Sequence, residues 1–414
     1  MLVSRYGRFT LLTLAVAIGL LLTACGGVAE GPSDADDIGD VSPGVTDTEI
    51  KLGTHFALSQ TPAAAYAPII YGMRAYFDYV NEEEGGVNGR KITLLIGDDH
   101  YNPADALEVT RGLVERDNVF AFVGSLGEAA HSAVWKYLEE RGVPDMFITA
   151  GLLKWSEPTV KTRFAGSVDF VTEGRMLGKY VVENYDGKKV GLLLQNDEMG
   201  VDAEKGLNMA LEGSAVEVVA KETYEAEVFD ATAQTQRLRN SGAELVIAFA
   251  IPPQAASLTQ TAREVLGWDV PILVSGINAS DIFINLAGAE NAEGVISIVM
   301  GHQIYETDNP GIQKHFQVME KYGRGTPASN FSLYGQSYAE LMVEALRRAG
   351  RDLTRNGLVE AAESIRDWKC SACIVSMSMS ENDHRPLEME MYNRVEDGRW
   401  VAFGDIVSFE STTD

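Results

Sequence analysis

Residues 50–84 read IKLGTHFALSQTPAAAYAPIIYGMRAYFDYVNEEE, and this stretch decides the fold. Ile50 to Ala57 is a short apolar, partly alternating run, which predicts a strand. Ser59-Gln60-Thr61-Pro62 is a loop of small and hydroxyl residues. Beyond it Ile70, Met73, Phe77 and Val80 recur near helical spacing. Strand, polar loop and amphipathic helix in that order make a β-loop-α start. The loop falls where a helix N-terminus leaves backbone N–H groups unpaired, a position that favours an oxygen-bearing ligand. Ser59 and Thr61 are therefore candidates to meet a ligand, or simply to cap the helix.

The same alternation continues. Strands are expected at 91–97, 119–123 and 143–149, with helices at 103–116 and 128–140 between them. After a break near Gly166, strands at 189–195, 216–221, 244–249, 271–275 and 295–300 alternate with helices at 171–185, up to Leu211, and at 231–240 and 254–266. Helices follow at 311–322, 333–349 and 358–364. Residues 388–394 alternate, Glu396-Asp397-Gly398 makes a turn, and Trp400 to Phe403 runs on, which reads as a hairpin. Short apolar runs alternating with helical patterns indicate an α/β fold with mostly parallel sheets covered on both faces. Two such arrays stand in series on this reading. Ligands of open α/β sheets bind beyond the carboxyl ends of the strands, so the loops after the strands are where a site is expected.

A chain of 414 residues exceeds one ordinary core, so two lobes are expected. The formal charge of −26 argues against nucleic acid as a partner, because neutralising phosphates needs a basic surface. The first 24 residues read as a signal peptide: Arg5 and Arg8, an apolar run from Phe9 to Leu22, then Leu22-Thr23-Ala24-Cys25. This ending resembles a bacterial lipoprotein signal, which implies cleavage before Cys25 and a lipid on its sulfur. Removing Arg5 and Arg8 takes the charge to −28, so lipid rather than charge would hold the protein at a membrane. Residues 25–44 are then the lipidated cysteine and a flexible Gly-, Ser-, Pro- and Asp-rich tether.

No catalytic constellation emerges. There is no dinucleotide fingerprint after the first strand, no phosphate-binding loop and no nucleophile elbow. His55, His100, His131, His302, His315 and His384 form no close pair with metal-ligand spacing. His100 beside Asp98 and Asp99 is a weak metal candidate. The expectation is a binding protein without cofactor or metal. Cys370 and Cys373 stand as CSAC in an exported chain, where a short-loop disulfide is the first choice, ahead of buried free thiols and of a redox or metal role.

These marks accumulate toward one family. GVTDTEIKLG, ALSQTPAAAY, NEEEGGVNGRKI, VFAFVGSLG, RGVPDMF, LLLQNDEMG and YGQSYAELMVEALRRAGRDLT occur in order between Val45 and Phe409. Over that span the chain resembles the solute-binding proteins of branched-chain amino acid type ABC transporters, the leucine/isoleucine/valine-binding class. The resemblance implies a type I periplasmic binding protein: two Rossmann-like lobes joined by three crossovers, closing on a small ligand. Lobe one would hold 45–166 and 298–368, and lobe two 167–297 and 369–414. It further implies a monomer that serves an ABC permease and ATPase from the periplasm or the outer face of the cytoplasmic membrane, with the membrane touched only through the lipid. The same body could instead act as a sensor gating a receptor or kinase.

The resemblance also assigns a site. Tyr66 matches the aromatic of the first loop, and Ser125, with Leu126 and Gly127, follows the third strand where a ligand carboxylate is met. Ala150 and Gly151 follow the fourth strand, where a Thr of the family is absent. Met199 and Ile251 stand where aromatic residues are usual. The acid that pairs with an amino group would fall near Ile277 or Asn278, and none is there. Tyr101 is the best further aromatic candidate. An unpaired buried ammonium is costly, so these departures argue for a carboxylate- or amide-bearing organic solute over a plain aliphatic amino acid. The apolar wall would be adaptable.

Overall fold

Strands of three to ten residues, most of them apolar runs bounded by turn residues, form two sheets. The computed structural model describes residues 42–409, Phe229 excepted. The first sheet holds β1 (Glu49–Phe56), β2 (Lys91–Asp98), β3 (Ala121–Val123), β4 (Asp145–Ile148) and β5 (Arg163–Ala165), all parallel, in the order β2-β1-β3-β4-β5. The second holds β6 (Lys189–Gln195), β7 (Glu217–Tyr224), β8 (Leu245–Phe249), β9 (Ile272–Val274), β10 (Ile296–Val299), β11 (Met389–Glu396) and β12 (Arg399–Ser408), in the order β12-β11-β10-β9-β8-β6-β7. Strands β6 to β10 run parallel, and the β11–β12 hairpin adds antiparallel to β10. β1 and β2 run in step from Glu49 opposite Lys91 to Phe56 opposite Asp98. The loops that leave them therefore emerge side by side.

Four helices matter for the site: α1 (Ala67–Glu83), α2 (Phe170–Tyr185), α3 (Glu198–Leu211) and α4 (Asn330–Ala349). α1 buries Ile70, Met73, Phe77 and Val80, as their spacing predicts. Asp169 caps α2 by accepting from Thr172 N–H at 2.9 Å, Asp197 caps α3 by accepting from Met199 N–H at 2.9 Å, and Ser329 caps α4 in a capping box with Ser332. Each lobe is closed by one tight helix crossing. A Cβ on Gly72 of α1 would lie 2.0 Å from the Ser332 carbonyl oxygen, and one on Gly335 of α4 would lie 1.7 Å from that of Ile69. α2 and α3 cross in the same way at Gly174 and Gly206.

The two arrays are not in series. α4 packs on α1, so residues 330–349 return to the first lobe after the second has been built. The chain crosses between lobes three times, after β5, after β10 and before β11. Cys370, Cys373, Val375, Met377, Met379 and Leu387 lie in the core of the first lobe, so the chain re-enters the second sheet at Met389 and not near residue 369. Cys370 and Cys373 sit side by side there with Cα atoms 5.1 Å apart. All of β10 belongs to the second sheet, although 298 was expected to open the return to lobe one. The helix expected over 128–140 is two, Glu128–Ser132 and Trp135–Glu140, and β5 is a strand that its sequence does not announce. Cys25, the signal peptide and most of the tether lie outside the described residues. The body already holds this segment at Gly44, whose carbonyl accepts from Lys51 N–H at 2.8 Å, and Ser42 is buried. No helix among the described residues is long and apolar enough to cross a membrane.

Two histidines far apart in sequence do meet. Asp99 Oδ2 lies 2.6 Å from His55 Nδ1, His55 Nε2 lies 2.9 Å from His131 Nδ1, and His131 Nε2 lies 2.8 Å from Asp145 Oδ2. All four side chains are buried. Three contacts need three protons, and two neutral imidazoles carry only two. The third sits on a ring nitrogen or an aspartate, and either way the chain of four carries one net negative charge. Arg163 beside Asp145 offsets it. Burial pushes the His55 pKa down while its bond to Asp99 pulls it back up. Among the described residues no cluster of three or more His, Cys, Asp or Glu could hold a metal ion. His100 instead bonds Asp105 at 2.8 Å.

Candidate ligand-binding cavity

The carboxyl ends of the two sheets face each other across a cavity. The first lobe lines it with Tyr66, Tyr101, Leu126, Gly127, Ala150 and Gly151, and the second with Met199 and Ile251. These eight of the twelve residues singled out in the sequence come together although they span nearly two hundred positions. The other four lie elsewhere. Ser59 Oγ donates to Asp98 Oδ2 at 2.7 Å, and Thr61 caps the short helix Pro62–Tyr66. Ser125 is fully buried behind the wall, its Oγ 3.4 Å from Thr54 Oγ1 and its carbonyl accepting from Thr149 N–H at 2.8 Å. Asn278 is fully buried as well; its Nδ2 donates to the Ala250 carbonyl at 2.8 Å and staples the loop after β8 to the loop after β9.

Sequence reasoning missed three carboxyl groups. Glu128, at the start of its short helix, Glu173, in the first turn of α2, and Glu390, on β11, all line the cavity. Glu390 had a signal: it falls on the face of an alternating strand that also buries Tyr392, where an apolar residue is expected. Glu173 had none, because the first turn of a helix is where exposed acids are common. α4 contributes Phe331, Tyr334 and Tyr338, which no reading of two arrays in series could bring here.

Burial dominates the electrostatics. It pushes Glu128 up to about 7, aided by Asp197 and opposed by the Tyr101 hydroxyl, which donates at 2.8 Å, and by the N–H groups of Glu128 and Gly151. It pushes Glu173 up to about 8, opposed by the N–H of Gly276 at 3.1 Å. Glu390 is raised well above the usual range by burial and then by Glu173 and Asp169. No Lys, Arg or His is among the lining residues. The Tyr66 hydroxyl and Glu390 Oε2 are buried without a protein partner.

A carboxyl raised from its ordinary 4.5 to about 8 binds more protons folded than unfolded between those values. Its contribution to stability is present below pH 4.5 and lost as pH rises through 8. Wild type is expected to lose more stability than Glu173→Gln between pH 5 and pH 8 in the absence of ligand. Urea midpoints at the two pH values check this, and equal losses would refute the placement of Glu173 in an apolar cavity.

Hydrogen bonds bridge the lobes on both sides of the cavity. Leu153 N–H donates to Asp202 Oδ2 at 3.0 Å, Ser132 Oγ to Glu198 Oε2 at 3.3 Å, and Lys154 pairs with Glu198. On the other side Asn330 N–H donates to Asp281 Oδ1 and the Tyr334 hydroxyl to the Ala279 carbonyl, both at 3.1 Å. Two lobes strapped over a cavity and built from one chain that crosses three times suggest capture of a small molecule.

The family described as "periplasmic binding protein" matches residues 49–394. The chain belongs to this family. It is a family of binding proteins rather than enzymes and is extracytoplasmic. An "amino acid binding protein" of Pseudomonas aeruginosa is 25% identical over 291 residues, 68% of this chain and 73% of that one. "Leu/Ile/Val-binding protein homolog 7" of Brucella abortus is 22% identical over 323 residues, 72% of this chain and 77% of that one. Among solved structures, a branched chain amino acid ABC transporter protein of Thermus thermophilus with bound valine superposes with a TM-score of 0.80 at 21% identity, over 88% of this chain and 98% of that one. A fatty acid ABC transporter substrate-binding protein of Thermomonospora curvata gives 0.78 at 24% identity, over 89% and 95%. A solute binding protein of R. palustris in complex with benzoate gives 0.74 at 19% identity, over 87% and 98%. The fold of the family, two α/β lobes with mostly parallel sheets, is the fold found here.

Proposed function

We propose that the protein is the extracytoplasmic solute-binding component of an ABC importer. It captures a small organic solute in the interlobe cavity as a monomer and delivers it to a permease and ATPase. The observation that carries this reading is the cavity itself, mostly apolar and aromatic in its walls, and walled by both lobes. The ligands named with its structural relatives, valine, fatty acid and benzoate, are all small organic molecules with apolar bodies. Closing two lobes excludes water and strengthens each polar contact to the guest. A lipid on Cys25 would keep the body at the membrane, and a Cys370–Cys373 disulfide would pin the segment that leads from the first core back toward β11.

One expectation about the solute changes. A plain amino acid was disfavoured because no acid stands near Ile277 or Asn278. Glu173 and Glu390 bring acids from other parts of the chain, so an amine is no longer excluded on that ground. A ligand carboxylate, in contrast, meets no cation. Amide and amine solutes fit the walls better than acids do.

Thermal-shift screening of the purified protein against amines, amides, amino acids and organic acids tests the reading. A cognate solute at 100 times its Kd is expected to stabilise the protein by about 2.7 kcal/mol. A stabilising solute whose effect survives Ala150→Phe, which fills the cavity, would overturn it.

A further inference from the structure

We infer that Glu173 and Glu390 form a subsite for a cationic nitrogen, an ammonium or amidinium, on a ligand whose remaining body is apolar and carries no anionic group. This rests on the cavity being the binding site and goes beyond it by naming the ligand class.

The first observation is geometric. Glu173 and Glu390 are 4% and 6% exposed, come from different elements, and both face the cavity. Glu173 keeps one bond to protein, from Gly276 N–H at 3.1 Å. Glu390 Oε2 has none. A buried acceptor without a donor is costly, and here the open side is the cavity, so the missing donor is one the ligand brings. Two acids in one apolar cavity, where Glu390 feels the charge of Glu173, cannot both ionise without a counter-charge. Their surroundings supply none. Asp169 adds a third acid, and the phenols facing Glu390 from α4 are those of Tyr334 and Tyr338. Arg385, which feels Asp169, is taken up by Glu157, Asp383 and Glu388 at 2.9 to 3.2 Å.

The second observation argues against a ligand anion beside Glu128. N–H groups at a helix start would ordinarily receive a ligand carboxylate. Here the carboxyl of Glu128 stands at the start of its short helix, accepting from the Tyr101 hydroxyl at 2.8 Å. The protein fills that position with its own acid. A metal ion fits no better, since a hard divalent cation wants about six to eight oxygens and no suitable cluster exists among the described residues. Phe331, Tyr66 and Phe170 in the walls suit an apolar or aromatic body and can face a cation with their rings.

Cation binding would discharge the protons that the two acids hold in the empty protein, so affinity rises with pH between 5 and 8. The experiment is titration calorimetry at pH 7 with benzamidinium, benzylammonium, n-butylammonium, benzamide, benzoate and valine, in two buffers of different ionisation enthalpy. Wild type, Glu173→Gln, Glu390→Gln and Ala150→Phe are compared, each checked for a native melting transition. At least one cation is expected to bind, with proton release, at least about 10-fold more tightly than benzamide. Glu390→Gln and Glu173→Gln should each weaken it at least about 30-fold and abolish the proton release, while benzamide binding changes little. Binding of benzoate or valine without the cations, blocked by Ala150→Phe, overturns this inference and leaves the cavity reading intact. Cation binding that survives Ala150→Phe overturns both. Failure of every cation to bind, or cation affinity in either Gln variant equal to that of wild type, overturns the subsite.

Discussion

Gly335→Ala is expected to destabilise the protein by about 4 kcal/mol or to prevent folding. The added Cβ would lie 1.7 Å from the Ile69 carbonyl oxygen and 2.9 Å from the Met73 N–H nitrogen, and both are helix backbone that cannot rotate aside. α1 and α4 must then separate along their length, which opens the core that Ile70, Met73 and Phe331 share. Overpacking a core costs about 1–3 kcal/mol when side chains can yield, and more when only backbone can. The control is Gly112→Ala. Gly112 has helical angles, and its nearest neighbour is the flexible end of Arg116 at 3.4 Å, so the intrinsic helix preference of alanine should make that change neutral or stabilising by up to about 1 kcal/mol. Urea melts of both variants separate the two cases. A Gly335→Ala protein as stable as wild type would mean that α1 and α4 do not approach this closely.

His131→Ala is expected to cost about 3–5 kcal/mol, the usual penalty for breaking a buried charged pair by removing one partner. It removes two of the three links in the buried Asp99–His55–His131–Asp145 chain, leaving His55 Nε2 and Asp145 Oδ2 without partners. The Trp155 ring, whose centroid lies 4.9 Å from that of His131, also loses a face. His131→Phe restores volume but not the hydrogen bonds, so it should recover only part of the loss. Proton NMR gives the separate readout: a slowly exchanging imidazole N–H signal is expected in wild type and should be lost or shifted in both variants. A cost under about 1 kcal/mol would show that the chain of four does not hold this part of the lobe together. The consequence reaches the cavity. Asp99 also accepts from Tyr101 N–H at 2.8 Å, and His131 sits on the helix that begins with Glu128, so the same network positions both cavity residues.

The α/β class, nearly every strand, and the eight lining residues Tyr66, Tyr101, Leu126, Gly127, Ala150, Gly151, Met199 and Ile251 were legible in the sequence. The class and the strands follow from local chemistry, apolar runs of strand length and helical spacing, whereas the lining residues came from the resemblance to the family, helped by the rule that loops after parallel strands carry sites. Ser125 and Asn278 were misplaced because position after a strand does not say which way a side chain turns. Ser125 points behind the wall, and Asn278 spends its amide on a loop carbonyl. β5 escaped notice because three residues beginning with an arginine have no strand pattern.

The chain by itself determined what repeats locally: period, helix-start residues and turn residues. Tertiary structure alone decided what joins segments hundreds of residues apart. The family resemblance already sends 298–368 to lobe one and the C-terminal segment to lobe two, but only packing laid α4 on α1 and β11 on β10, and so put Phe331, Tyr334, Tyr338 and Glu390 in one cavity with Tyr66 and Glu173. Packing also paired His55 with His131 across seventy-six positions. The physical reason is that local pattern reports which face of an element seeks burial, whereas the partner that covers it is chosen by packing the whole chain. A buried acid such as Glu390 looks like an exception in its strand and becomes intelligible only when the cavity it faces is known.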